Sequence, residues 1–204
     1  MITSLKELNI IIAGVGGQGV VLISEILGNV SVREGLKVRG SEVLGMAQRG
    51  GPVFSNIRLG SGVYAPLTSE GKCDILLSLE PGEALRNIQY LNSESIVTLN
   101  KRKVIPATVS LGKSVYPEID QIITNLQMVG CRVVALDAVE LAEKAGNRQS
   151  TNVVMLGALF GSGKIPIGVD AVKEFVKRRV PVKAVDSNLK AFDLGYETTS
   201  NINI

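Results

Sequence analysis

The stretch Asn9–Glu34, NIIIAGVGGQGVVLISEILGNVSVRE, decides the fold. Asn9–Ala13 reads as a short apolar strand, Gly14–Gly19 as a glycine-dense turn, and the residues from Val20 onward as a helix. Gly14, Gly16 and Gly19 satisfy G-x-G-x-x-G, and Gly17 adds a further glycine inside the turn. A strand that turns directly into a helix often needs positive φ, which glycine adopts without a Cβ penalty. Bare backbone also lets a ligand or a neighbouring chain approach, and the positive end of the helix attracts anions. A dinucleotide fold follows such a helix with an apolar strand that ends in an acidic residue about 20 positions on. Here Glu42 stands near that distance, but LKVRGSE reads as a basic, glycine-broken strand with Leu36 and Val38 as its only apolar residues. Three readings of the turn therefore remain open: a dinucleotide site, a purely structural turn, or a surface shared with a partner or a phosphate-bearing ligand.

Several classes of chemistry fall away on composition. The 204 residues contain no histidine, so there is no imidazole base, no Ser-His triad and no histidine metal ligand. The two cysteines, Cys73 and Cys131, are far apart and each opens an apolar run. Iron–sulfur and zinc centres need clustered thiolates, so both are expected to be buried small hydrophobes. Aromatic residues make up 4% and the formal net charge is +3, which argues against nucleic-acid binding. Lys6 and Glu7 interrupt any early apolar region, and Asn152–Gly161 is far shorter than the roughly 20 residues that span a bilayer. The expectation is a cytoplasmic chain that folds as one domain over residues 1–204, with no membrane partner.

Gly40–Pro52, GSEVLGMAQRGGP, is the second unusual stretch. Its four glycines and its proline predict an irregular segment, and Arg49 beside Gly50-Gly51 offers a guanidinium fork next to backbone donors. Val53–Leu59 alternates as a strand and is expected to pair with Val63-Tyr64-Ala65 as a hairpin. Lys72–Leu79 reads as a central strand covered on both faces and Ser95–Leu99 as the next strand, with Glu83–Leu91 as the helix between them. Pro117 is expected in the first turn of a helix reaching Val129, with Ile119, Ile122, Ile123 and Leu126 facing inward. Cys131–Leu136 reads as a further strand, and Asp137 as the N-cap of Ala138–Ala145. Ser150 is expected to cap a buried helix over Asn152–Phe160, and helices over Val169–Arg179 and Val185–Leu194 end the chain. Gly161-Ser162-Gly163-Lys164 fails the P-loop pattern at Ala158 and Ile165. The basic run Lys173–Lys183 reads as a solvated helix face. Strands and helices alternate throughout, which predicts an α/β fold: a three-layer α/β/α sandwich with a mostly parallel, mixed central sheet and a Rossmann-like glycine-rich first turn.

The two glycine-rich stretches together resemble the gamma-type subunit or domain of the 2-oxoacid:ferredoxin oxidoreductases. The likeness rests on GVGGQG at Gly14–Gly19 and on SEVLGMAQRGGPV at Ser41–Val53. It continues through VYAPL, LLSLEPGEALR, TNVVMLGAL, Ile165-Pro166 and AFDLGYE, and so covers nearly the whole chain. The wording around Ser41–Gly51 is most similar to the indolepyruvate branch, which usually carries histidine where this chain has Leu44. The resemblance implies a subunit of a complex that oxidatively decarboxylates a 2-oxoacid to acyl-CoA and passes electrons to ferredoxin. It implies thiamine diphosphate, 4Fe-4S clusters and coenzyme A in that complex. The thiamine and the clusters would sit on a large partner subunit, because this chain has neither a cysteine cluster nor a thiamine signature. The residues implied to face cofactor or partner are Gly14, Gly16, Gly17, Gln18, Gly19, Ser41, Glu42, Gln48, Arg49, Gly50 and Gly51, none of them catalytic. Pyruvate, 2-ketoisovalerate or 2-oxoglutarate as substrate, and a stand-alone nucleotide binder, are the alternatives.

Overall fold

The computed structural model describes residues 5–44 and 50–200. Its sheet contains β1 (Leu8–Val15), β2 (Val38–Leu44), β3 (Pro52–Leu59), β4 (Ile75–Ser78), β5 (Ile96–Asn100) and β6 (Arg132–Leu136). The helices are α1 (Val20–Arg33), α2 (Pro81–Arg86), α3 (Ala107–Ser110), α4 (Ile119–Met128), α5 (Ala138–Lys144), α6 (Thr151–Gly161), α7 (Val169–Arg179) and α8 (Val185–Ser200).

The strand order is β2-β3-β1-β4-β5-β6. β1, β4, β5 and β6 run parallel, while β3 is antiparallel to both of its neighbours, β1 and β2. The expected mixed, mostly parallel sheet is therefore present. Every residue of β1 is buried, because alternate side chains enter two separate cores. Ile10 and Ile12, with Ile75 and Leu77, pack under α1, α5, α6, α7 and α8. Ile11 and Ala13, with Leu76, Val97 and Leu99, pack under α2 and α4. Burial on both faces is what makes these strands read as continuous apolar runs rather than alternating ones.

Several local expectations change. Gly40–Leu44, expected to be irregular, belongs to β2, which among the described residues is an edge strand paired with β3 alone. A Cβ at Gly40 would meet Asn56 O at 3.5 Å, an ordinary contact, so glycine here is compatible with the ladder. Val63-Tyr64-Ala65 forms no strand, and the antiparallel partner of β3 is β2. Pro117 lies outside α4, whose N-cap is Glu118, and only Ile122 and Leu126 of the four expected side chains are fully buried. The helix expected over Glu83–Leu91 splits into α2 and a 3-10 turn at Ile88–Tyr90. Ser150 stands before α6, but its side chain makes no capping hydrogen bond. Asp137 does cap α5, accepting from the amides of Val139 and Glu140. The basic face of α7 is exposed and ion-paired, Arg178 with Glu174 and Arg179 with Glu25.

α6 carries a buried face of Val153–Phe160 and crosses α8 at close range. Small residues set that distance: Gly157 lies against the backbone of Phe192, and Gly195 against the backbone of Val154. No described helix is long and apolar enough to cross a membrane.

Candidate functional site at the carboxyl edge of the sheet

The helix after β1 packs on one face of the sheet and the helix after β4 on the other. The crossover direction therefore changes between two adjacent parallel strands, and ligands of open α/β sheets bind in the crevice beyond the carboxyl ends at such a point. The glycine turn Gly14–Gly19 occupies one side of that crevice and Leu79-Glu80 the other.

The turn divides into an inner and an outer part. On the inner part, Gly16 N–H donates to Gly51 O at 2.8 Å and Gly16 O accepts from Gly50 N–H at 3.3 Å. These bonds extend the β1–β3 ladder past the Val15–Pro52 pair and join the two glycine-rich stretches into one backbone surface. Gln18 ties the turn to β4, since its Oε1 accepts from Val15 N–H (2.9 Å) and its Nε2 donates to Leu79 O (3.2 Å). A Cβ on Gly14 would fall 2.8 Å from that Oε1 and 3.1 Å from Leu79 Cβ. The outer part is formed by Gly17 (φ 96°) and Gly19 (φ 87°), both left-handed. Nothing lies within 4 Å of a Cβ built on Gly17, whereas one on Gly19 would strike Asn152 Nδ2.

Beside this outer part is a cleft of about 270 Å³. Gly17–Gly19, Asn100, Arg102, Arg148 and Asn152 line it, and its lining includes two arginines and no carboxylate. Asn100 is buried and holds the cleft floor, donating to Leu79 O and accepting from the amides of Arg102 and Ala138. A second cleft, of about 340 Å³, opens on the α2 side between Val15, Gly50, Pro52 and the segment 104–117. At its base the Glu80 side chain accepts three hydrogen bonds: from Glu83 N–H (3.1 Å), Val104 N–H (3.1 Å) and Tyr116 O–H (2.5 Å). Burial, and then the bond to Glu80, pushes the Tyr116 phenol up from its ordinary value. Burial also raises Glu83, against the pull of Arg86 beside it.

Sequence reasoning placed Gly14, Gly16, Gly17, Gln18, Gly19, Gly50 and Gly51 together, and the structure brings them together. Ser41 and Glu42 lie elsewhere, on edge strand β2 opposite Asn56 and Ser55. Because Ser55 also faces Ile12, β3 separates Glu42 from β1, two strand spacings of roughly 4.8 Å each. That insertion removes the acidic residue from the place a dinucleotide ribose requires. Gln48 and Arg49 lie outside the described residues, as does the side chain of Leu44. Sequence reasoning missed Glu80, Asn100, Arg102, Tyr116 and Arg148. The local signal for Glu80 was a carboxylate directly after a buried strand and before Pro81, the N-cap position of α2. Cys73 and Cys131 are buried on the α2 side of the sheet, and burial pushes the Cys73 thiol up to about 12. Among the described residues no three His, Cys, Asp or Glu side chains stand together as metal ligands.

The family described as pyruvate ferredoxin/flavodoxin oxidoreductase matches residues 9–198. Subunit IorB of indolepyruvate oxidoreductase from Archaeoglobus fulgidus is 47% identical over 93% of this chain and 94% of its own length. The IorB of Pyrococcus horikoshii is 44% identical over 97% and 98%. By contrast, the pyruvate synthase subunit PorC of Methanothermobacter thermautotrophicus is 23% identical over 94% and 95%. Among solved structures, pyruvate oxidoreductase subunit PORC of Thermotoga maritima has the same fold, with a TM-score of 0.70 at 20% identity over 94% of this chain and 96% of that one. The 2-oxoglutarate:ferredoxin oxidoreductase of Magnetococcus marinus, solved with 2-oxoglutarate, coenzyme A and succinyl-CoA, gives 0.73 at 19% identity over 97% of this chain and 32% of its own. The chain belongs to the pyruvate ferredoxin/flavodoxin oxidoreductase family, as a gamma-type subunit of the 2-oxoacid:ferredoxin oxidoreductases.

Proposed function

We propose that this chain is the subunit of an indolepyruvate ferredoxin oxidoreductase that carries neither clusters nor thiamine. The complex oxidatively decarboxylates an aryl 2-oxoacid to acyl-CoA, with electrons delivered to ferredoxin. One observation carries the choice of substrate class: identity is 36–47% to four indolepyruvate oxidoreductase subunits and 23–29% to the pyruvate, 2-oxoglutarate and ketoisovalerate relatives.

The 4Fe-4S clusters do not fit this chain, because it has two cysteines where a cluster takes four thiolates, and both are buried with their thiols raised by that burial. The clusters and thiamine diphosphate belong on the large partner subunit. The donor chemistry of the 270 Å³ cleft suits the phosphate groups of coenzyme A, the rest of which would extend beyond it: Arg102, and Arg148 in exchange for its 3.6 Å pairing with Glu143, would hold those phosphates beside the bare Gly17–Gly19 backbone. When bound in the complex, it supplies the thiol that accepts the acyl group. The chain's own contribution is to orient and to exclude water. The surface made by Gly14–Gly19 with Gly50-Gly51 is the face that meets the partner; Ser41 and Glu42, on edge strand β2 away from that surface, and Gln48 and Arg49 in the sequence after β2, are further candidate contacts of this reading. Residues 1–204 act as a single gamma-type domain in the cytoplasm.

Reconstitution tests this reading. The isolated chain is expected to fold, to show no visible chromophore, and not to reduce a viologen dye with any 2-oxoacid. With the large subunit and coenzyme A added, dye reduction is expected, fastest with an aryl pyruvate. Activity of the isolated chain, or full activity of the large subunit without it, refutes the assignment.

A further inference from the structure

Glu80 is 2% exposed, yet it carries a carboxylate beneath a surface segment. Its Oε1 accepts from Val104 N–H and from Tyr116 O–H, so a single buried oxygen fastens both ends of the segment 104–116. Tyr116 Oη also accepts from Gly82 N–H at 2.8 Å, which locks the same point to the start of α2. Between these fixed ends the segment shows three large aliphatic side chains to solvent: Ile105, Leu111 and Val115, exposed by 49%, 70% and 90%. Holding an apolar loop rigidly in water has no folding benefit of its own, and exposed apolar clusters with a polar rim mark interaction surfaces.

The charges of the segment itself have one sign, with the exposed carboxylate of Glu118 directly after it. Residues 101–117 contain Lys101, Arg102, Lys103 and Lys113 and no Asp or Glu. Lys103 is paired with Glu118 at 2.9 Å, while Lys101 and Lys113 are exposed and meet no carboxylate among the described residues. The 340 Å³ cleft beneath the segment is walled by Val15, Gly50 and Pro52 and is continuous with the glycine surface. Two ammonium groups buried without counter-charges would oppose association, so a surface that covers this loop has to bring carboxylates to them. An apolar side chain at its centre would fill the cleft as an anchor.

We propose that the segment 101–117 is a preformed docking ledge for an acidic-rimmed apolar surface of the large thiamine- and cluster-bearing subunit. The proposal rests on the functional reading above and adds to it where on this chain the partner sits and what chemistry it presents. The test measures binding of the full chain to the large subunit by surface interferometry. For the wild-type chain the association rate should fall by about tenfold or more as ionic strength rises toward ~1 M, where charges more than ~3 Å apart are screened. Lys101→Glu with Lys113→Glu should slow association by about tenfold at low salt and flatten that dependence. Leu111→Ser with Val115→Ser should speed dissociation by about tenfold or more. Val182→Ser, at a residue 92% exposed after α7, should bind as wild type, and all three should keep the wild-type melting temperature. A salt-independent wild-type association rate overturns the proposal, as does wild-type binding by either double variant. Failure of the wild-type chain itself to bind the large subunit overturns the functional reading, and the ledge with it.

Discussion

Gly157→Ala sets packing against intrinsic helix propensity. In α6 the substitution is favourable locally, because alanine exceeds glycine by about 1 kcal/mol in a helix interior. Against that, the added Cβ would lie 2.0 Å from Phe192 O, 2.8 Å from Phe192 C and 3.0 Å from Phe192 Cα. All three are backbone atoms of α8, so no side chain can rotate away. To reach ordinary van der Waals separation α8 must retreat by more than an ångström, drawing the fully buried Phe192 away from Phe160, 6.1 Å off between ring centroids. α8 is pinned on the other side of the crossing as well, because Gly195 meets Val154 O at the same 2.0 Å Cβ distance. Overpacking of this kind costs about 3 kcal/mol at the upper end of its usual range. Offset by the propensity gain, the net loss is about 2 kcal/mol, which for a chain of this size lowers the melting temperature by roughly 4–8 °C. Urea titration should show a lower midpoint at unchanged slope. Gly28→Ala is the control: it lies in α1 with nothing within 4 Å of its Cβ, so propensity acts alone and stability should rise by up to ~1 kcal/mol. A Gly157→Ala chain as stable as wild type, beside a stabilised Gly28→Ala chain, would refute the account of the α6–α8 crossing.

Gly17→Ala should cost about 1–2 kcal/mol from the left-handed backbone alone, and Gly19→Ala more, since its Cβ also meets Asn152; equal midpoints in urea would show that the clash relaxes freely. Tyr116 is held protonated in the folded state above its ordinary value, so folded chains bind more protons than unfolded ones once pH passes ~10, and stability present below that pH is lost above it. Tyr116→Phe should remove part of that alkaline slope, and identical slopes for the two chains between pH 9 and 11, about one unit on either side of that value, would exclude the effect. Arg102→Ala with Arg148→Ala should raise the apparent KM for coenzyme A in the reconstituted complex and leave the KM for the 2-oxoacid unchanged; a shift in the latter alone would place the arginines elsewhere.

What the chain's residues disclose in advance depends on how local the causes are. β1 and α1 are legible because an apolar run, a glycine turn and a 3.6-residue pattern follow one another without a gap, and α7 matches its expected limits Val169–Arg179. β2 is legible only in part: Leu36–Glu42 reads as a basic, glycine-broken strand, whereas Gly40–Leu44 looks like a loop by its glycine content, which an edge strand bonded on one side tolerates at Gly40. The Glu80–Tyr116 bond joins positions 36 apart and has no periodic signature. The cleft arginines come from the loop after β5 and from a 3-10 turn at Arg148–Ser150, and their convergence follows from the order β1-β4-β5-β6, which no short window of sequence encodes. Of the candidate site, the glycine surface was therefore legible and the charged groups around it were not.

The strand order also explains why a Rossmann-like turn here need not make a dinucleotide enzyme. In the dinucleotide fold the strand after the first helix lies directly beside the first strand, and its terminal carboxylate reaches the ribose. Here antiparallel β3 is inserted at that place, and its leading residues Gly50-Gly51 hydrogen-bond Gly16 on both its N–H and its C=O. The inner half of the turn is thus satisfied by the chain's own second glycine stretch. The outer half, Gly17–Gly19, faces the 270 Å³ cleft, where the polar side chains among the described lining residues are two arginines, the amides of Gln18, Asn100, Gln149 and Asn152, and the hydroxyl of Thr151. Such a site can hold and orient an anion. Two bare backbone segments bonded edge to edge also form a surface with few side chains to order on contact, which lowers the entropic cost of a close interface. The same insertion that removes the acidic residue from the nucleotide position builds the glycine platform.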